Sequence, residues 1–115
     1  SSKVFEKIGL FDENFFLYYE DADFSLRAKN NNFTLGVVPQ AHAYHKEISE
    51  NNIDQKTYFL VLSGLIFFEK HTHGIKKFWF HIHTTLRKIK NYFYCKKNKP
   101  FARSVRKAYH DYATK

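Results

Sequence analysis

Residues 15–33 read "FFLYYEDADFSLRAKNNNF" and place three carboxylates directly after a run of aromatic residues. Asp23 and Arg27 stand four residues apart, with the basic residue toward the C-terminal end, which suits both an ion pair on a helix and the helix dipole. The three asparagines that follow favour a helix end, because Asn tolerates left-handed backbone and forms local hydrogen bonds. The stretch therefore predicts a helix over residues 20–30.

The segments on either side of this helix differ in character. On its N-terminal side, Phe5 and Ile8 have the spacing of a short helical turn, and Asp12 can cap a turn in the loop that follows. On its C-terminal side, "FTLGVVP" at 33–39 is rich in β-forming residues and ends in Pro39, which predicts a short strand.

The C-terminal half is predicted to be helical. Apolar residues recur at helical spacing from Asp54 to about His73. A second helix, at about 75–94, has an apolar stripe with steps of four, four, three and four residues and many lysines elsewhere on its surface, and it reads as a basic amphipathic helix. A last, weaker helix is predicted at 101–114. The stripe of the second helix consists of Phe78, Ile82, Leu86, Ile89 and Phe93.

The composition limits the class of protein. The chain has 115 residues, 43% of them apolar, which suffices for one core. A single cysteine, Cys95, excludes an internal disulfide and favours a reducing, cytoplasmic setting. No apolar run reaches the length of roughly 18 residues that a membrane span needs. The N-terminus does not resemble a signal peptide, and because the chain contains no Met we expect a piece of a longer protein.

Charge is distributed unevenly. Residues 1–50 hold 5 Lys or Arg and 8 Asp or Glu, a net charge of −3, whereas residues 51–115 hold 14 and 3, a net charge of +11. The two halves together give the formal charge of +8. Two functional regions are implied, divided near residue 50.

The acidic cluster has several interpretations when it is considered alone. Adjacent carboxylates such as Glu20 and Asp21, beside apolar side chains, can provide a general base. Three acids can also bind a divalent cation, or stabilise a helix N-terminus. The simplest interpretation is helix capping together with an ion pair between Asp23 and Arg27 on a solvated helix face.

The wider segment resembles a known family. "G-x-FDE-x-FF", "ED-x-D-x-x-x-R", a predicted strand ending in Pro, and "H-K-x-x-S" occur in this order between about residues 4 and 49. This order is similar to the C-terminal part of the catalytic domain of family 2 glycosyltransferases, particularly rhamnosyltransferase-like members. The resemblance implies an α/β fold of the GT-A, Rossmann-like type. Residues 1–50 would be the end of that domain, mostly helical with one or two short strands, and residues 51–115 a basic helical region.

The resemblance also implies an activity. Such enzymes transfer a sugar from a nucleotide-sugar donor to an acceptor hydroxyl, with inversion, in the synthesis of cell-surface polysaccharide or glycolipid. Asp21 would be the catalytic base and Glu20 would orient the acceptor or tune the base. Asp23 and Arg27 would hold the helix start. The neighbouring aromatic residues would support the loop, and one of the tyrosines could stack on a sugar ring; these residues are Phe15, Phe16, Tyr18 and Tyr19.

A divalent cation is the cofactor that the resemblance implies. In similar enzymes the His of "H-K-x-x-S", here His45, lies near the donor diphosphate and its Mg²⁺ or Mn²⁺, although a histidine near apolar residues is often purely structural. His71 and His73 lie about 200° apart on a helix, so they should not share a metal.

Two departures from the family pattern are visible. The donor-binding units and the D-x-D element would precede the matched segment, so the isolated chain is expected to be inactive. An Arg-Asn pair that is frequent in relatives is replaced by Ser63 and Gly64.

The basic half leaves alternatives open. The amphipathic helix can lie on an anionic membrane, which would place the protein on the inner face of the cell membrane, or its apolar stripe can pack on the catalytic domain. A non-enzymatic helical module that binds nucleic acid is a further alternative, suggested by a pI near 9.6. We do not expect nucleic-acid binding, because the N-terminal half is acidic and no such motif is present.

Overall fold

A computed structural model describes residues 2–44, 53–94 and 99–114. Within these ranges the chain forms helices and irregular segments, with no strand. In chain order the helices are α1 (Ser2–Ile8), α2 (Glu20–Asn30), α3 (Ile53–His71), α4 (Ile75–Tyr94) and α5 (Lys99–Ala113). The predicted helices at 20–30 and 75–94 are confirmed with these boundaries, and the other predicted helices are present within a few residues.

The predicted α/β fold of the GT-A, Rossmann-like type is wrong for the described part of the chain, and so is the strand at 33–39. The residues there have strand-like composition, but a strand needs a neighbour to pair with its backbone N–H and C=O groups. No partner strand lies beside them in the described ranges. Val37 is 91% exposed, and the segment ends in a turn in which the Ala41 amide donates to the Val38 carbonyl at 3.0 Å.

Helix α2 begins and ends as its sequence suggests. Its three acids lie in the first turn, and Arg27 and Lys29 lie in the last turn, an arrangement that complements the helix dipole. The Asn31 side chain donates to the Arg27 carbonyl at 2.9 Å, and Asn32 adopts left-handed backbone with φ 65°. Both asparagines therefore end the helix in the manner predicted from their chemistry.

The core lies between α3 and α5. Val61, Leu62 and Leu65 of α3 pack against Val105 and Ala108 of α5, together with Tyr109. Small side chains such as Ala108, which is fully buried, let the two helices approach closely.

Two hydrogen bonds tie the same pair of helices at their edges. The Tyr58 hydroxyl donates to Asp111 at 2.7 Å, and the Tyr112 hydroxyl donates to Glu69. Burial and the hydrogen bond to Glu69 raise the pKa of Tyr112 well above its usual value.

Helix α4 packs on this core through the half-buried Phe80 and through polar side chains beside it. Thr84 is buried, the Asn91 side chain donates to the Ala102 carbonyl at 3.3 Å, and the Lys88 ammonium lies 5.2 Å from the centre of the Tyr109 ring. Most of the apolar stripe faces outward: Phe78, Leu86, Ile89 and Phe93 are exposed, and Ile82 is half-buried. The radius of gyration, 17.0 Å, exceeds the roughly 13 Å expected of a compact domain of this length.

None of the five helices of the described ranges combines the length and the apolar composition that a membrane-spanning helix requires.

Candidate functional site

Two tyrosines in left-handed backbone conformation lead into α2. Tyr18 has φ 67° and Tyr19 has φ 68°, a region that side chains other than Gly, Asn and Asp rarely adopt. Tyr19 occupies the N-cap position of α2 and makes no side-chain capping hydrogen bond. Residues held in such conformations cost free energy, and they occur often at functional sites.

Helix α3 holds this strained segment in place. The Tyr19 ring packs against Phe67 at 5.2 Å between ring centres. A methyl group on Gly64 would lie 3.3 Å from the Tyr19 ring, so the glycine permits the close approach of the ring. The buried Ser63 hydroxyl donates to the Leu17 carbonyl at 2.7 Å.

Ser63 and Gly64 therefore position the loop before α2, a role that the sequence did not indicate. They stood out in the sequence only as a departure from the family pattern. The signal that could have identified them is a small pair, Ser-Gly, in the middle of an otherwise bulky helix, which marks a place where another segment approaches closely.

The two acids predicted to act in catalysis follow directly. Asp21 is exposed on the first turn of α2, and one of its oxygens accepts a hydrogen bond from the Ala22 amide at 2.7 Å. The Oε2 atom of Glu20 is buried and has no hydrogen-bond partner among the described residues. A buried carboxylate oxygen normally has a donor, so this atom has unused capacity to accept a hydrogen bond.

Asp23 is the centre of an ion network. Its side chain is 0% exposed, and its Oδ2 accepts from Arg27 Nε at 2.7 Å. Its Oδ1 lies 2.8 Å from Lys70 Nζ and 2.7 Å from His71 Nε2. Burial alone would raise the pKa of Asp23, but the hydrogen bonds from its three partners outweigh burial and lower it.

The predicted ion pair between Asp23 and Arg27 is thus present, but it is buried and does not lie on a solvated helix face. Arg27 also donates from Nη1 to the Ile8 carbonyl and from Nη2 to the Leu10 carbonyl at 2.7 Å. One guanidinium therefore joins α2 to the end of α1 and to the loop that follows.

Lys70 connects the loop to the network. Its ammonium lies 2.6 Å from Asp12 and 2.8 Å from Asp23. The hydrogen bond from Lys70 lowers the pKa of Asp12 to about 2. Burial would lower the pKa of Lys70, but its two carboxylate partners outweigh burial and raise it.

Asp12 also caps the turn in its loop, as the sequence predicts. Its Oδ1 accepts hydrogen bonds from the Asn14 amide at 3.0 Å and from the Asn14 side chain at 2.8 Å. It thus caps the loop turn with one oxygen while the other oxygen binds Lys70.

The aromatic residues before α2 are divided between the interior and the surface. Phe15 is buried beneath the Lys70 ammonium, which lies 5.7 Å from the centre of its ring. Phe16 is exposed, and one face of its ring contacts Phe59.

A groove of about 510 Å³ adjoins the site. Tyr19 is among the residues that line it, and Phe68, Trp79, Lys76 and Arg87 contribute aromatic and basic side chains to its walls. Asp21 does not line this groove.

His45, the predicted metal ligand, lies outside the described residues. Across residues 2–44, 53–94 and 99–114, no group of three or more His, Cys, Asp or Glu side chains is arranged to hold a metal ion. The carboxylates of Asp12 and Asp23 are bound instead to the Lys70 ammonium.

Comparison with known proteins gives a partial similarity. The chain is 34% identical over 62 residues, 54% of its length, to the low-salt glycan biosynthesis hexosyltransferase Agl10 of Haloferax volcanii. The matched part covers 20% of the length of that protein. No family model matches the chain, and no solved structure matches it.

Proposed function

We propose that this chain is part of a glycosyltransferase that moves a sugar from a nucleotide-sugar donor to a hydroxyl group of a glycan or lipid-linked acceptor. The observation that carries the proposal is the start of α2, where the unpaired buried oxygen of Glu20 lies next to the exposed carboxylate of Asp21. The similarity to a hexosyltransferase supports the same class of reaction. Assignment to family 2 and inversion at the anomeric carbon are the finer parts of the proposal, and they rest on the motifs in the sequence.

In the proposed reaction Asp21 acts as the general base. The acceptor oxygen forms a bond to the anomeric carbon of the donor sugar while its proton passes to the Asp21 carboxylate. The bond between the anomeric carbon and the diphosphate oxygen breaks, and the nucleoside diphosphate leaves with the electron pair. An exposed carboxylate on a helix start is accessible to such an acceptor.

Glu20 orients the acceptor in this proposal. Its Oε2 atom is buried without a partner, so a rotation of the side chain toward the acceptor would gain a hydrogen bond from a second hydroxyl of the sugar without breaking one in the protein. The left-handed backbone of Tyr18 and Tyr19 sets the orientation of the first turn of α2, which carries the two acids. Tyr19, which lines the groove, can stack on a sugar ring.

Asp23 and Arg27 support the site and do not contact the reacting atoms. The Asp23 carboxylate is fully buried among three cationic or hydrogen-bond-donating side chains, so no acceptor can reach it. Its role is to fix the first turn of α2, on which the proposed base is carried.

The divalent cation remains a proposal for a longer protein. The described residues do not form a site that fits Mg²⁺ or Mn²⁺, and no step of the mechanism above passes through a metal ion. If His45 binds such an ion, oxygen ligands would have to come from other parts of the protein, because hard cations prefer oxygen. Since the chain matches only a fifth of the length of the hexosyltransferase, we also expect the donor to bind residues outside this chain, and the isolated chain to be inactive.

The test is Asp21→Asn in a polypeptide that includes both this segment and the donor-binding part. The amide keeps the shape of the side chain but is a poor base, so transfer should fall at least about a hundredfold while donor binding persists. Asp54→Asn is the matched control, because Asp54 is also an exposed acid in the first turn of a helix, α3. Undiminished transfer by the Asp21 variant, or equal losses in both variants, would reject the assignment.

A further inference from the structure

The outer surface of α4 is apolar although the helix already packs on the core. Six side chains of this surface, each between 51% and 75% exposed, form what we term the outer stripe: Ile75, Phe78, Trp79, Leu86, Ile89 and Phe93. The stripe follows one side of the helix for about 27 Å, at a rise of about 1.5 Å per residue. A contiguous exposed apolar surface of this kind marks a place where something else binds.

Folding of the described chain leaves each of these side chains at least half exposed, although Trp79 also lines the groove beside Tyr19 and Leu86 adjoins Phe101 of α5. The hydrogen bond and the buried side chain that hold α4 come from the opposite side. There Thr84 is buried and Asn91 and Lys88 contact α5. Rotating the helix to bury the stripe would break these contacts and expose a polar surface instead. The arrangement of α4 is therefore one in which the apolar side is left for a partner outside the described chain.

Charge identifies the partner. From residue 71 to residue 110 the sequence contains 11 Lys or Arg and no Asp or Glu. By helical periodicity Lys76 and Lys90 lie on one flank of the outer stripe. Lysines in these positions can extend their ammonium groups to phosphate groups while the stripe enters the layer beneath them.

We propose that α4 lies flat on an anionic phospholipid surface, with the outer stripe inserted at the boundary between headgroups and acyl chains. The aromatic residues of the stripe suit that boundary, because Trp and Phe are typical of the apolar face of helices that lie in the membrane interface. The helix lies in the plane of the membrane and does not cross it, which agrees with the absence of a spanning helix in the described ranges. The proposal is independent of the glycosyl transfer proposed above, although membrane attachment would suit a lipid-linked acceptor.

The chain contains its own reporter for the test. Trp79 is the only tryptophan of the sequence, and it belongs to the outer stripe with 62% of its surface exposed. Addition of vesicles made of phosphatidylglycerol and phosphatidylcholine in equal parts should shift its fluorescence to the blue and protect it from a water-soluble quencher. The chain should co-sediment with these vesicles, and added salt should weaken the binding.

Two pairs of variants separate charge from apolar insertion. Lys76→Gln with Lys90→Gln should weaken binding about 25-fold, since each lysine near an anionic surface contributes about a fivefold factor. Lys3→Gln with Lys29→Gln has the same net charge but changes residues outside α4, and its affinity should stay within about twofold of the unmodified chain.

Phe78→Ser with Ile89→Ser should abolish the blue shift and leave the far-ultraviolet circular dichroism spectrum unchanged, because both side chains are exposed. Val37→Ser with Val38→Ser, at exposed apolar residues outside α4, should keep the shift.

Several results would overturn the proposal. Equal binding to pure phosphatidylcholine vesicles would remove the role of charge. A blue shift of Trp79 that depends on protein concentration and not on vesicles would show that a second copy covers the stripe. Steeply salt-dependent binding to nucleic acid, without vesicle binding, would assign the basic surface to a different partner.

Discussion

Replacing Asp23 by Asn should destabilise the fold strongly although it changes only one atom. The two carboxylate oxygens of Asp23 accept from Arg27 on one side and from Lys70 and His71 on the other. An amide offers one oxygen and one NH₂ group, so one of these sides would face a donor with another donor. Removing one partner of a buried ion pair costs about 3–5 kcal/mol.

The expected loss lies near the lower end of this range. Lys70 would keep its ion pair with Asp12, and Arg27 would keep its hydrogen bonds to backbone carbonyls, so neither cation would be left without an acceptor. We therefore expect the free energy of unfolding to fall by about 3 kcal/mol. Urea unfolding of the 115-residue chain, followed by far-ultraviolet circular dichroism, measures this quantity.

The control lies two residues away on the same helix. Asp21→Asn makes the same chemical change at an exposed position of the first turn, where an acid contributes at most about 1 kcal/mol through the helix dipole. The two variants should differ by at least about 2 kcal/mol in unfolding free energy. A loss below about 1 kcal/mol for Asp23→Asn, or equal losses for both variants, would refute the view that Asp23 is the centre of the network.

Two further predictions concern acid and the packing of Tyr19. Because the folded-state pKa of Asp12 is about 2, below its ordinary 3.8, its ion pair stabilises the fold above about pH 4 and loses this effect as the pH falls toward 2. Urea unfolding across this range should show the decline, and Asp12→Asn should make it shallower without removing it, since the pKa values of Asp23 and Asp111 are lowered too. An acid limb equally steep in that variant would contradict the assignment. Gly64→Ala places a methyl group 3.3 Å from the Tyr19 ring, and a gain of up to about 1 kcal/mol in helix propensity should offset the displacement of the ring. The unfolding free energy should then change by less than about 1 kcal/mol, whereas a loss above about 2 kcal/mol would show that Tyr19 cannot move.

The helices could be predicted from the sequence because their determinants are local. Residues 20–30 contain the acids, the bases and the asparagines that set both ends of α2. The apolar residues that recur at helical spacing in 75–94 likewise all lie within α4. The prediction of a strand at 33–39 was wrong because a strand needs a neighbouring strand to pair with, and local composition does not show whether one is present.

The site was predictable to a similar extent. The ion pair between Asp23 and Arg27 follows from their spacing of four residues, and it is present. The other partners, Lys70 and His71, come from a helix more than 40 residues later, and nothing in their local sequence indicates a buried carboxylate. The spacing of His71 and His73 argues only against a shared metal ion and gives no sign that the His71 ring contacts Asp23. The functional roles predicted for Glu20, Asp21 and His45 stay predictions.

The packing of α4 divides substitutions in this helix into two classes, those on its outer side and those on its inner side. Because Phe80, Thr84 and Asn91 fasten the helix on its inner side, exchanges among the outward aromatic and aliphatic residues leave the interior undisturbed. Mutation of these outward residues could therefore change the affinity of α4 for a membrane surface over a wide range with little loss of folding stability. Substitutions on the opposite side, around the buried Thr84, would instead disturb the packing of α4 against α5.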